Sequence, residues 1–220
     1  MTEQNFEQLR SAMVASQLRT SAVNDPRVLA AMAAVPRERF VPADRAKLAY
    51  LDVAQPIGAG RSIAPPMVLG RLLTEARPRS SDRALIVGAG TGYSTAVLAK
   101  LVGLVVALEE DARLTMVRSA DAGADAGDAP VSIVAGPLEE GWPAGAPYDL
   151  ILVDGAIEQV PPALLAQLAE GGRLAAPIIR GGVTRLTIGR KAGEGFGLLS
   201  FADAEAPALP GFARPAAFSF

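Results

Sequence analysis

Gly88-Ala89-Gly90-Thr91-Gly92-Tyr93 follows directly on a short aliphatic run, and a stretch of helical composition begins near Ser94. Glycines in such a place let the backbone turn sharply and come close to a ligand, with the amides of the helix start facing it. About 20 residues further on, Glu109 ends the next aliphatic run, the position from which a carboxylate accepts both ribose hydroxyls of a nucleoside. Its neighbour Glu110 reads more simply as a surface group, although it shares the same corner. A third acid, Asp154, closes the run from Tyr148 to Val153 and falls beside the crevice in which open α/β sheets bind ligands. Asp149, ahead of that run, reads as structural.

The residue types that are missing narrow the chemistry further. The 220 residues include no His and no Cys. This removes a Ser-His-Asp relay, a cysteine nucleophile, thiolate and imidazole metal sites and disulfides, and no metal is expected. The glycines are spaced G-x-G-x-G, with Tyr93 where a final small residue would stand. A dinucleotide fingerprint reads G-x-G-x-x-G, its third glycine easing helix packing beneath a pyrophosphate. The spacing therefore favours a cofactor without pyrophosphate, S-adenosyl-L-methionine, over a nicotinamide. Methyl transfer also suits a chain without histidine. A carboxylate acceptor is already ionised near neutral pH, so positioning and exclusion of water can supply most of the acceleration.

The elements that must hold these residues are written in the apolar pattern. Residues 84–87, 104–108, 131–134, 150–153 and 173–176 are short aliphatic runs, alternating with helical compositions at 94–101 and 162–168. Continuous apolar strands belong to a parallel sheet covered on both faces, hence an α/β, doubly wound, mostly parallel fold. Residues 183–190 and 196–201 flank a Gly-containing turn and read as a C-terminal antiparallel hairpin. The first third reads as a helical extension, with apolar residues at helical spacing from Phe6 to Leu18, an N-cap at Asn24 or Asp25 before Pro26, and Pro36 as a stop. Residues 55–66 hold too many Gly and Pro for a regular element and read as a shaped loop. Residues 121–128 read as a mobile surface turn, and 216–220 as either an edge strand or a loose tail. We divide the chain into 1–80, the extension with its loop, and 81–220, the cofactor-binding domain, packed as one unit.

A net charge of −2 argues against electrostatic capture of nucleic acid or an anionic membrane. No apolar run approaches the roughly 18 residues that span a bilayer, and the start lacks the pattern of a signal peptide. A cytoplasmic location is expected.

A broader pattern resembles the protein-L-isoaspartate O-methyltransferases across almost the whole chain. It is carried by Met13-Val14 with Gln17-Leu18, Asp25 to Leu29, Val35-Pro36-Arg37-Glu38-Arg39-Phe40-Val41-Pro42, Ala49-Tyr50 and Pro56-Ile57-Gly58. The glycine loop with Tyr93, Gly141-Trp142-Pro143, Tyr148-Asp149 and Val160-Pro161 continue it. The resemblance implies a Rossmann-like methyltransferase sheet with a reversed final hairpin, S-adenosyl-L-methionine as cofactor, and methylation of the misplaced α-carboxyl of isoaspartyl residues in damaged proteins. It implies cofactor contacts from Gly88, Ala89, Gly90, Gly92, Tyr93, Glu109, Glu110 and Leu138, and a substrate loop of Ile57, Gly58, Ser62, Ile63 and Ala64. The expected partner is an isoaspartyl protein or peptide, with no nucleic acid, no membrane and a monomeric state.

Three departures stand out. Ala64 takes the place of a family serine hydroxyl, leaving Ser62 as the hydroxyl of the loop. Pro137 takes the place of an aspartate that receives the adenine amino group; proline offers neither an acceptor side chain nor an N–H. Asp154 takes the place of a small or neutral residue. Ser62 and Asp154 are thus the catalytic candidates, Asp154 as orienting group or base. Two alternatives stay open: a divergent relative acting on another nucleophile, and a non-catalytic cofactor-binding or regulatory protein.

Overall fold

A computed structural model describes residues 5–115 and 128–214 of the chain. Residues 121–127 of the expected surface turn, and 216–220, lie outside the described residues. Helix α1 (Phe6–Ala12) is capped by Asn5, whose side chain accepts from the Gln8 amide. The helical spacing beyond it is realised as a wider π-type turn over Met13–Leu18, with Met13 and Leu18 buried. The Ser16 and Thr20 hydroxyls donate back to the carbonyls of Ala12 and Ser16, a bonding pattern that slackens a helical ladder. Helix α2 (Pro26–Ala34) starts where expected, Asp25 accepting from the Arg27 amide at 2.8 Å with Pro26 just inside. Two 3₁₀ turns, Arg37–Phe40 and Ala43–Leu48, follow.

The Gly- and Pro-rich stretch departs from the expected loop. Strands β1 (Gln55–Gly58) and β2 (Arg61–Ile63) pair antiparallel. Ala59 and Gly60 between them have φ of 52° and 70°, the two positive values that a tight hairpin turn demands. Pro56 is tolerated because the sheet has only two strands, both of them edges. Helix α3 (Pro66–Ala76) then buries Val68, Leu69, Leu72, Leu73 and Ala76.

The main sheet contains β3 (Arg83–Val87), β4 (Leu104–Glu109), β5 (Val131–Ala135), β6 (Tyr148–Val153), β7 (Leu168–Arg180), β8 (Val183–Ala192) and β9 (Gly195–Asp203), ordered β5-β4-β3-β6-β7-β8-β9. The first five pair in parallel, and β8 and β9 return antiparallel, each beside its predecessor. Helices α4 (Tyr93–Ala99), α5 (Ala112–Thr115) and α6 (Pro162–Ala166) punctuate the strands. Within β3, Ala84 and Ile86 face one apolar layer with α3 and the N-terminal helices. Leu85 and Val87 face the other, with Leu138, Tyr148 and Leu164. That split is the period of two expected of a strand buried on both sides.

The direction of winding reverses between β3 and β6, whose ends register as Val87 opposite Val153. A crevice forms outside the strand ends at such a reversal. It receives Gly88 from β3, Glu109 from β4 and Asp154 from β6. After β9 the chain returns across this end of the sheet. The Ala156 amide donates to the Pro207 carbonyl at 2.7 Å and the Leu209 amide to the Ala156 carbonyl at 2.8 Å. Among the described residues no helix is long and apolar enough to cross a membrane.

Candidate functional site

The glycine loop is bent by its own backbone. Gly88, Gly90 and Gly92 have φ of 82°, 55° and 95°, a region that residues with a Cβ enter at a cost. Its amides do not all face outward, as the sequence suggests. Those of Gly88 and Ala89 donate to the Leu108 carbonyl, that of Gly92 to the Ala89 carbonyl, and that of Gly90 to Glu109 Oε2 at 2.7 Å. The loop therefore offers closeness of approach more than donors. Side chains from elsewhere press on it. A Cβ at Gly88 would meet Leu209 Cδ1 at 2.7 Å and Arg61 Nη2 at 3.0 Å, and one at Gly90 would meet Ile57 Cδ1 at 3.0 Å.

Glu109 is fully buried. Its Oε1 accepts from Arg61 Nη1 at 2.9 Å and from the amides of Glu110 and Asp111 at 3.0 and 3.2 Å. Glu110 is itself exposed. Its carboxyl is pushed up by partial burial and by the charge of Glu109. Arg61 also donates to the Gly88 carbonyl at 3.2 Å.

The N-terminal string covers the loop from above. Thr91 Oγ1 donates to the Phe40 carbonyl at 2.6 Å, the Phe40 and Tyr93 rings meet edge to face at 5.7 Å, and the Arg37 guanidinium lies 4.6 Å from the Tyr93 ring centre. Arg37 is completely buried and donates to the carbonyls of Ala49 and Ala64, each at 2.7 Å. Burial lowers its pKa, while Tyr93 and Asp154 work to keep it charged. Burial raises the Tyr93 phenol, against the pull of Arg37.

Asp154 leaves β6 with its amide donating to the Val87 carbonyl at 2.9 Å. Burial lifts its carboxyl above the ordinary value, opposed by the positive charges of Arg61 and Arg37. Among the described residues, Ser94 Oγ, Thr95 Oγ1, Tyr93 Oη and Arg37 Nη1 are buried without hydrogen-bond partners. Such groups carry a desolvation cost unless something satisfies them.

The hairpin's two faces separate the predicted loop residues. Arg61 and Ile63 are buried, with Ile57 beside them. Ser62, on the opposite face, lines a cleft of about 480 Å³ with Asp52, Pro65, Met67, Glu205 and Pro207. Gly58 is exposed at the turn, and Ala64 is buried, contributing its carbonyl to Arg37. Leu138 is fully buried in the second apolar layer. The structure thus brings Gly88, Gly90, Tyr93, Glu109 and Asp154 to one end of the sheet and sets Ser62 on the far side of β2. Sequence reading passes over Arg37 and Arg61. The signal for Arg37 was its place in the Pro36-to-Phe40 string; Arg61 carried no signal beyond its charge.

The fold and this strand-end site define a class I methyltransferase fold. A solved structure described as a protein-L-isoaspartate O-methyltransferase from Plasmodium falciparum, in complex with S-adenosyl-L-homocysteine, superposes with a TM-score of 0.76. It covers 94% of this chain and 99% of that one at 22% identity, a likeness of fold. Sequence carries the relationship further. The family model for protein-L-isoaspartate(D-aspartate) O-methyltransferase (PCMT) matches residues 8–199, and the chain belongs to that family. It is 41% identical over 174 residues to protein-L-isoaspartate O-methyltransferase 1 of Rhodopseudomonas palustris, covering 79% of this chain and 71% of the relative. It is 41% identical over 188 residues to the Methylorubrum populi enzyme of that name, covering 85% and 88%.

Proposed function

We propose that this chain transfers a methyl group from S-adenosyl-L-methionine to the α-carboxyl of isoaspartyl residues in proteins. One observation carries the reading: the family string packs directly onto the glycine loop, Phe40 and Arg37 on Tyr93 and the Phe40 carbonyl on Thr91. The string specific to the resemblance and the glycine loop that class I methyltransferases share are thereby one physical unit, with residues 1–80 as the cover of 81–220.

The residues fit an adenosyl group. Glu109 is a buried carboxylate whose Oε2 carries a single amide donor, and the unpartnered hydroxyls of Tyr93 and Ser94 lie at the same strand ends. Gly88, Ala89, Gly90, Gly92, Tyr93 and Leu138 would line the group, with Glu109 taking the ribose and Glu110 at its rim. Pro137 leaves the adenine amino group without a side-chain acceptor. When bound, the cofactor supplies an electrophilic methyl on a sulfonium.

The chain's own part is to hold a carboxylate in line and keep water away. Arg37 and Arg61 provide positive charge against the like charge of Asp154. Ile57, Gly58, Ile63 and Ala64 form the wall, and Ser62 is the hydroxyl nearest the open cleft. Incubation with methyl-labelled cofactor and an isoaspartyl peptide tests the reading, the expected product being a base-labile methyl ester. Absence of label at high protein concentration sinks it.

A second reading is favoured by Asp154, whose raised pKa suits a group that takes a proton from a hydroxyl or amine. Asp154→Asn decides between them. Transfer to a carboxylate survives or quickens when a like charge is removed, whereas transfer to a protonated nucleophile collapses.

A further inference from the structure

Glu109 has one more partner than a ribose site should give it. A carboxylate accepts about four hydrogen bonds, two at each oxygen. Oε1 already takes three, from Arg61 Nη1 and the amides of Glu110 and Asp111, and Oε2 takes one, from Gly90. A ribose diol brings two O–H donors. One finds room at Oε2; Oε1, already carrying three donors, can take the second only in place of Arg61, whose two amide neighbours stay.

Arg61 is also placed to matter beyond Glu109. Its second nitrogen bonds the Gly88 carbonyl, and its guanidinium sits 3.0 Å from where a Cβ on Gly88 would be, so it lies on the floor of the same crevice. It stands on a strand of three residues in a two-stranded sheet. Such a hairpin is marginal without outside anchors. The next residue, Ser62, faces the other way into the 480 Å³ cleft with Pro65, Met67 and Glu205. Whatever moves Arg61 therefore moves the wall of that cleft.

We propose that Arg61 is an affinity-setting latch: it holds the β1–β2 hairpin on Glu109, competes with the cofactor's ribose for that carboxylate, and on displacement couples cofactor binding to the shape of the cleft at Ser62. This rests on the reading that Glu109 receives the ribose. Without cofactor the latch is closed and the hairpin pinned. The ribose exchanges an ion pair for hydrogen bonds from uncharged hydroxyl donors, so the latch weakens binding by the share of molecules in which it is shut. Arg61→Gln removes the charge and leaves Oε1 with its two backbone amides.

Calorimetric titration with S-adenosyl-L-homocysteine, with thermal melts of the free proteins, separates this from a merely structural role. Arg61→Gln is expected to melt lower when free and yet bind roughly tenfold tighter, the factor for an open arrangement about one-tenth populated. Arg61→Lys, which keeps a charge, is expected to bind closer to the parent. A structural arginine would lower melting temperature and affinity together, and equal or weaker binding by Arg61→Gln overturns the proposal while leaving the cofactor reading intact. No binding by parent or variant overturns both. Hydrogen exchange on the unaltered protein gives an independent arm, because amides 57–63 must exchange faster once S-adenosyl-L-homocysteine is added. Slower or unchanged exchange there overturns the latch.

Discussion

Two arginine–carboxylate pairs are buried at opposite ends of the same parallel strands. Arg61 and Glu109 meet at the carboxyl ends, 8% and 0% exposed, and Arg173 and Asp82 at the amino ends, each 4% exposed. Both carry the desolvation cost of taking two charges out of water. They differ in what else holds the acid. The Asp82 carboxylate has one further donor, the Arg79 backbone amide, while the Asp82 main-chain carbonyl receives the amides of Gly103 and Leu104. Arg173 reaches on to the Arg77 carbonyl. That pair fastens the starts of β3 and β4 to β7 and the end of α3. Glu109 keeps three backbone amides even without its arginine, and Arg61 sits on a short hairpin. The Arg173–Asp82 pair is a fastening; the Arg61–Glu109 pair can be exchanged.

The largest effect follows from the fastening. Arg173→Ala leaves a buried acid with a single amide and is expected to cost about 3–5 kcal/mol, a fall in Tm of roughly 10 °C for a domain of this size. Arg61→Gln should cost about 1 kcal/mol in the free protein, since Glu109 retains its amides. Equal losses from the two variants would erase the contrast.

Asp154 sharpens it from the acid side. Burial raises its folded pKa above the unfolded value, so the folded state resists its ionisation. The resulting penalty is absent below the unfolded pKa and complete above the folded one. Asp154→Asn should therefore raise Tm at pH 8, with the gain fading toward about pH 4; a gain that grows on acidification reverses the assignment. The smallest effect belongs to an exposed pair. Arg113 holds the Asp111 carboxyl down at about 2, yet the Arg113 side chain is exposed to water, and Arg113→Ala should leave the melting temperature unmoved.

Much of this end of the molecule is legible in the residue order. The aliphatic runs become β3 to β7; β3, β4 and β6 are buried on both faces and need no alternation, whereas β5, at the sheet edge, is mostly exposed despite its aliphatic residues. Asp25 caps its helix through a contact two residues away, and Glu109 falls at the strand end by spacing alone. What escapes depends on contacts across long separations. Arg61 meets Glu109 over 48 residues and Thr91 meets Phe40 over 51, and no local pattern records either. The hairpin at Gln55–Ile63 escapes for another reason. Its glycines and proline look like a loop in composition, although positive φ at two adjacent residues is the requirement of a tight hairpin. The occupied amides of Gly88, Ala89 and Gly90 are likewise invisible, because their partners, Leu108 and Glu109, lie on a neighbouring strand.

The strap that follows β9 sets an order on how the site is built. Leu209 lies against Gly88 and Gly155, and its amide is bonded to Ala156. A ribosome makes every strand of the sheet before it makes this side chain. A nascent chain that has reached Asp203 holds the glycine loop, Glu109 and Asp154 but leaves Gly88 uncapped on that side. The crevice is closed on that side only once the segment beyond Asp203 has been made, after the sheet beneath it is complete.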